Sequence, residues 1–182
     1  TQAFAGCASL TEVLIPDSTQ SIGDYAFRDC ATLTYIKIGN GVTAITPEIF
    51  QNCSALQKVE LGNGITDIPD NMFAGLARLE TVTFGSAVDK IGAEAFAQCS
   101  GLVNIIIPDT VTSLGNAVFQ DCTGLQNATI GNGITVIPAD AFNGCAALQA
   151  VQFGDAVETI ETSAFAGCAS LTEVIIPDTV LT

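Results

Sequence analysis

The sequence predicts an α/β solenoid of eight 23-residue units, each giving a short strand to one wall and a short helical turn to the wall opposite. Three observations carry this. A phenylalanine recurs at Phe4, Phe27, Phe50, Phe73, Phe96, Phe119, Phe142 and Phe165, always 23 residues apart and with no insertion. Six residues after each comes a leucine, from Leu10 and Leu33 through to Leu171. Aliphatic columns follow at fixed offsets, as in Ile36 and Ile38, then Val42 and Ile45. One unit reads roughly AFxxCxxLxxIxI(P/G)(D/N)xVTxI. A unit this short cannot bury its apolar face alone, so its neighbours must complete a shared core.

Within a unit, the segment Leu33-Thr34-Tyr35-Ile36-Lys37-Ile38 ends in strict alternation, which points Ile36 and Ile38 inward and Tyr35 and Lys37 outward on a strand. The strand stops at Pro16, Pro108 and Pro177, or at Gly39, Gly62, Gly85, Gly131 and Gly154, mostly followed by Asp or Asn. These residue types favour turns for backbone reasons, so a ladder of turns is expected there. Stretches such as Asp24 to Cys30 space their apolar residues three and four apart, which suits one short helical turn on the far wall. The eight units account for essentially all 182 residues, leaving no room for a second domain.

Nineteen acidic against five basic residues give a net charge of −14, and all five basic residues (Arg28, Lys37, Lys58, Arg78, Lys90) precede the midpoint. A surface of this sign repels phosphate backbones and anionic headgroups, so nucleic acid is not an expected partner. No apolar run approaches the ~18 residues of a membrane-spanning helix, and no membrane insertion is expected.

The residues argue against an enzyme. The chain has no histidine, so neither a Ser-His nor a Cys-His nucleophile can be assembled. Seven cysteines (Cys7, Cys30, Cys53, Cys99, Cys122, Cys145, Cys168) share one place in the repeat, and Leu76 fills the eighth. A site that leucine can occupy reads as an interior packing position holding free thiols. Disulfides are disfavoured by the odd number and the parallel orientation of stacked neighbours, although the spacing of stacked strands falls within bridging distance. No two cysteines lie closer than 23 residues, so none forms a local chelating pair, and no metal or cofactor is expected. The Gly-Asn-Gly pieces at 39–41, 62–64 and 131–133 lack the Lys-Ser/Thr of a phosphate cradle and read as turns. In the Asp/Asn column after the strands only Asp155 and Asp178 are adjacent acids, whereas calcium needs six to eight oxygens.

The units AFRDCATLTYIKIGNGVTAI, AFAQCSGLVNIIIPDTVTSL and AFAGCASLTEVIIPDTV resemble the BspA-type leucine-rich repeat along the whole chain. The resemblance implies a right-handed leucine-rich-repeat solenoid with a parallel sheet on one wall. It also implies a secreted or surface-displayed protein that makes adhesive or interprotein contacts. The match is less regular at Leu76, at Ile49, Met72 and Val118 before the phenylalanine, and at Ala128 in a strand column.

With catalysis set aside, the outward face of the strands is the candidate binding surface, for a protein or a glycan. Tyr35, Lys37, Lys58 and Glu60 combine an aromatic ring with both charge signs, and Leu14, Ile106 and Ile175 add outward aliphatics. The outward threonines Thr83 and Thr129 fall in broken columns and form no regular lattice. Two sequons, at Asn52 and Asn127, decide nothing by themselves. Residues 1–17 return almost unchanged at 162–178, seven units later. From this the sequence is expected to be a segment of a longer array, or a protomer that stacks end to end on further copies.

Overall fold

Every unit spends its apolar residues on the inside and its backbone hydrogen bonds on the units before and after it. The computed structural model describes residues 2–181, and these form a β-solenoid of about six turns with parallel sheets and almost no helix. In chain order the strands are β1 (Glu12–Leu14), β2 (Tyr35–Lys37), β3 (Lys58–Glu60), β4 (Asp67–Ile68), β5 (Thr81–Thr83) and β6 (Lys90–Ile91). They continue with β7 (Asn104–Ile106), β8 (Ser113–Leu114), β9 (Asn127–Thr129), β10 (Val136–Ile137), β11 (Ala150–Gln152) and β12 (Thr159–Ile160).

The front wall is formed by two parallel sheets, β1-β2-β3-β5 and β7-β9-β11, with each residue paired to its equivalent 23 positions on. Alternation works as expected: Ile36, Val59 and Ile105 are buried while the residues on either side face outward. The side wall carries the shorter sheets β4-β6-β8 and β10-β12. Among the described residues the eighth sequence unit contributes Phe165 and Cys168 but no strand.

The core is a column of stacked phenylalanines. Phe27, Phe50, Phe73, Phe96, Phe119 and Phe142 are all buried, with successive ring centroids 5.0–6.4 Å apart. Beside them lie the cysteines, all free. Each thiol from Cys30 onward donates to the carbonyl of the phenylalanine one unit back, as in Cys53 to Phe27 (3.0 Å) and Cys122 to Phe96 (3.0 Å). The column is therefore more than an apolar filler site, since its thiols also satisfy buried carbonyl groups.

The expected helical turns are the main correction. Among the described residues one 3-10 turn forms, at Pro47–Phe50, while the equivalent stretches elsewhere are chains of turns. Two residues with left-handed φ flank most repeat phenylalanines, such as Tyr25 (φ 57°) and Asp29 (φ 60°), or Ala117 (φ 55°) and Asp121 (φ 56°). No α-helix accommodates that pair. Tertiary hydrogen bonding wins over local helix formation here: Asn71, Phe73 and Gly75 donate their amides to the carbonyls of Ala93, Ala95 and Ala97 at 2.8–2.9 Å. The three- and four-residue spacing is used instead by successive tight turns, as in Cys30 N–H to Phe27 C=O (3.1 Å) and Leu33 N–H to Cys30 C=O (3.1 Å).

The turn ladder behind the front wall has a specific chemistry. The side-chain oxygen of Asp17 accepts the Asn40 amide (2.8 Å), that of Asn40 accepts the Asn63 amide (2.9 Å), and that of Asn63 accepts the Ser86 amide (2.9 Å). A second run links Asp109, Asn132 and Asp155. A Cβ at Gly62 would collide with the Gly39 carbonyl, so these stacked turns need glycine for close approach.

Each interruption of a wall coincides with a departure from the repeat. Among the described residues the front ladder stops after β5 and after β11, and these are the units in which Phe84 and Phe153 replace the usual aliphatic. Both rings turn edge-on to the next unit's phenylalanine, Phe84 to Phe96 at 6.0 Å and Phe153 to Phe165 at 5.9 Å. The side sheet stops between β8 and β10, where Pro138 lacks the N–H that Gly115 gives to Ile91 (2.8 Å) and Glu161 gives to Ile137 (2.9 Å).

Candidate partner-binding face

The register of the front sheet lines its outward residues into two rows. One runs Glu12, Tyr35, Lys58, Thr81 and the other Leu14, Lys37, Glu60, Thr83. Tyr35, Lys37, Lys58 and Glu60 therefore meet on β2 and β3, and Leu14 stands opposite Lys37. Ile106 lies beyond the front break, on β7. Ile175 is farther still, in the segment that stands off β11 across an open cleft of about 600 Å3. The structure thus gathers five of the seven expected residues and leaves two separate.

Glu60 is the hub of the cluster. Its carboxylate takes the Lys58 ammonium at 2.7 Å and the Lys37 ammonium at 4.0 Å. The Lys58 Nζ also lies 5.1 Å from the centre of the Tyr35 ring. The hydrogen bond from Lys58 holds the Glu60 carboxyl below its ordinary range, with the charge of Lys58, the Tyr35 hydroxyl and Lys37 acting the same way against partial burial. The Lys58 ammonium is raised, first by its hydrogen bond to Glu60. Tyr35 is raised by partial desolvation and then by the nearby Glu60 charge. Lys37 is the less engaged cation: it is 56% exposed and meets Glu60 at the outer limit of an ion pair. Leu14 beside it is 63% exposed.

The 23-residue repeat by itself sets Lys37 beside Glu60, whereas only the structure shows that Lys58 closes on both Glu60 and Tyr35. Period-two alternation carries the signal, because residues 58 and 60 share a face of β3. Two other features went unseen. Asn127 donates to Asn104 across β7 and β9 at 2.8 Å, making an uncharged polar strip. A cleft of about 580 Å3, lined by Gln57, Arg78, Glu80, Val103 and Asn104, opens at the first front break. The signal for it was Phe84, one of two phenylalanines in a column that is aliphatic elsewhere.

The thiols belong to packing. Burial pushes Cys53 and Cys99 up to about 12 and Cys122 and Cys145 higher, so they stay protonated and poorly nucleophilic at neutral pH. Among the described residues no group of three or more Cys, Asp or Glu side chains is placed to hold a metal ion, and no helix is long and apolar enough to cross a membrane.

Residues 1–103 and 66–182 match the model of the BspA type leucine rich repeat region, in six copies. No curated protein matches the sequence. Among solved structures, the chain is similar to a leucine-rich repeat protein from Bacteroides ovatus, with 27% identity and a TM-score of 0.83 over 93% of this chain. It spans 46% of that protein, about half its length. A leucine-rich repeat protein of T. pallidum is 24% identical with a TM-score of 0.81, over 90% of this chain and 79% of that one. A pneumococcal vaccine antigen is 19% identical with a TM-score of 0.50, over 93% of this chain and 51% of that one. At these identities the last two show a shared fold.

Proposed function

Because the chain belongs to the BspA-type leucine-rich repeat family, we propose that it is a non-catalytic binding module acting at a cell surface or outside the cell. Its contacts run through the outward front face to a protein or a glycan. The observation that carries this is the cluster on β2 and β3, where an aromatic ring, two ammonium groups and a carboxylate sit together on a rigid sheet within an otherwise acidic molecule. Lys37 and Leu14 are the most available contacts there, while Lys58 and Glu60 hold each other and the Tyr35 ring in place. Solenoid arrays commonly bind partners through such an extended face, and one structural neighbour is called a vaccine antigen. All eight sequence units are read as one array, and the 46% span on the Bacteroides ovatus protein supports reading it as part of a longer one.

The test is binding of the intact chain to immobilised extracellular-matrix proteins and to a glycan array, alongside the triple variant Tyr35→Ala, Lys37→Ala, Lys58→Ala. The variant is expected to lose binding at least tenfold. Unchanged binding by a folded triple variant rules this face out.

A second reading, a structural protomer that stacks end to end, is favoured by the near-identity of residues 1–17 and 162–178, which gives the first and last units similar stacking surfaces. A concentration-independent monomer in light scattering, with no fibres in negative stain, excludes it.

A further inference from the structure

We infer that the fourth unit, from Phe73 to Ile91, is a joint at which the array bends. Two adjacent junctions are loosened there on opposite walls. Between the third and fourth units the front strands β3 and β5 stay paired, but the back wall opens: among the described residues no amide of the third unit's back turn donates to the fourth unit. Pro47 seeds the 3-10 turn, and there the amides of Glu48, Phe50 and Asn52 give no bond to the next unit, whereas their equivalents Asn71, Phe73 and Gly75 all do. The thiol link is missing at the same junction, because Leu76 stands where a cysteine would donate to the Phe50 carbonyl. The phenylalanine stack is also at its widest on either side of Phe50, 6.4 and 5.9 Å against 5.0–5.5 Å elsewhere.

Between the fourth and fifth units the pattern reverses. The back wall is complete, with Phe73 N–H to Ala95 C=O at 2.8 Å, and Cys99 donates to Phe73 at 3.1 Å. The front wall is open after Phe84, and the Asx ladder ends there at Ser86. The side sheet β4-β6-β8 runs unbroken across both junctions, pairing Ile68 with Ile91 and Ile91 with Leu114. It is a spine about which the fourth unit rocks, since backbone ladders are what fix one unit's rotation against the next. The motion changes the angle between the β1-β2-β3-β5 platform, which carries Tyr35 and Lys37, and the β7-β9-β11 platform, which carries the Asn104–Asn127 strip. This joint follows from packing and hydrogen bonding and stands whether or not the face binds the partner proposed above.

The test is amide hydrogen exchange resolved by NMR on the full chain, comparing amides that are hydrogen-bonded at both places. Leu61 (to Thr83, 2.9 Å) and Phe73 (to Ala95) lie at the joint, and Ile130 (to Gln152, 2.8 Å) and Phe119 (to Ala141, 2.8 Å) hold the equivalent positions in the regular part. The joint amides are expected to exchange at least about tenfold faster. Phe84→Ile, the aliphatic of intact junctions, is expected to bring their protection toward that of the regular part. Phe84→Leu, which places there the residue type that Leu61 supplies one unit earlier, serves if the first variant fails to fold. Equal protection in the unmodified chain, or no gain in either folded variant, overturns the proposal.

Discussion

The two junctions flanking the fourth unit and the one between the sixth and seventh are made from the same repeat and hold together differently. Between the sixth and seventh units all three walls are bonded: β9 to β11 in front, Phe119 N–H to Ala141 C=O behind, and β10 to β12 at the side, opened by Glu158 N–H to Thr135 C=O. Around the fourth unit one wall is missing at each step, and the missing one alternates. The difference teaches that cohesion in this solenoid is shared among walls and that single residues decide which wall carries it. Proline removes a donor, phenylalanine in an aliphatic column spreads the front, and leucine in the cysteine column leaves a carbonyl without its thiol.

The largest expected effects come from the ring stack. Phe119→Ala removes a ring packed at 5.4 and 5.2 Å between its neighbours and is expected to cost roughly 3–5 kcal/mol in urea unfolding. Phe50→Ala, in the loosened stack, is expected at or below the bottom of that range, and an equal cost at both sites would erase the contrast. Cysteine comes next. Cys122→Ala removes the thiol donor from the Phe96 carbonyl, which keeps the Cys99 amide (3.2 Å), and is expected to cost about 0.5–1.5 kcal/mol, with Cys122→Ser milder because the hydroxyl still donates. Leu76→Cys supplies the missing donor but gives up volume, so its midpoint is expected to move by less than about 1 kcal/mol.

The thiols also predict a pH dependence. Burial raises Cys53 and Cys99 from 9.0 to about 12, so the fold favours the protonated form. Above pH 9 the unfolded chain releases protons that the folded chain keeps. Stability is therefore full below that pH and is lost progressively as pH rises toward 12. Thermal midpoints from pH 8 to 11 are expected to fall, less steeply in Cys99→Ser, and a flat profile would contradict the burial argument. In the native protein at pH 8 a thiol reagent is expected to modify the half-exposed Cys7 well before Cys99 or Cys122. The smallest effect is expected on the surface: Lys37→Ala should leave the urea midpoint unchanged within about 0.5 kcal/mol while weakening partner binding.

Much of this was legible in the chain. The period placed the core columns, alternation placed Tyr35 and Lys37 outward, and the interchange of cysteine with leucine marked a packing site. Of the binding face, the Lys37–Glu60 adjacency followed from the repeat length, whereas the separation of Ile106 and Ile175 from it did not. Those two follow the same outward pattern as Leu14, and only the breaks after Phe84 and Phe153 set them apart.

By itself the sequence determined the repeat, the inward and outward residues of each strand, and the chemistry available on the surface, because these depend on spacing along one unit. Tertiary structure decided that the back wall is turns instead of helix, that the cysteines are donors, and where each wall opens. Those outcomes rest on hydrogen bonds between residues about 23 positions apart, as from Phe73 to Ala95 or Cys122 to Phe96. A local pattern of apolar residues carries no record of whether a backbone amide turns toward its own unit or toward the next.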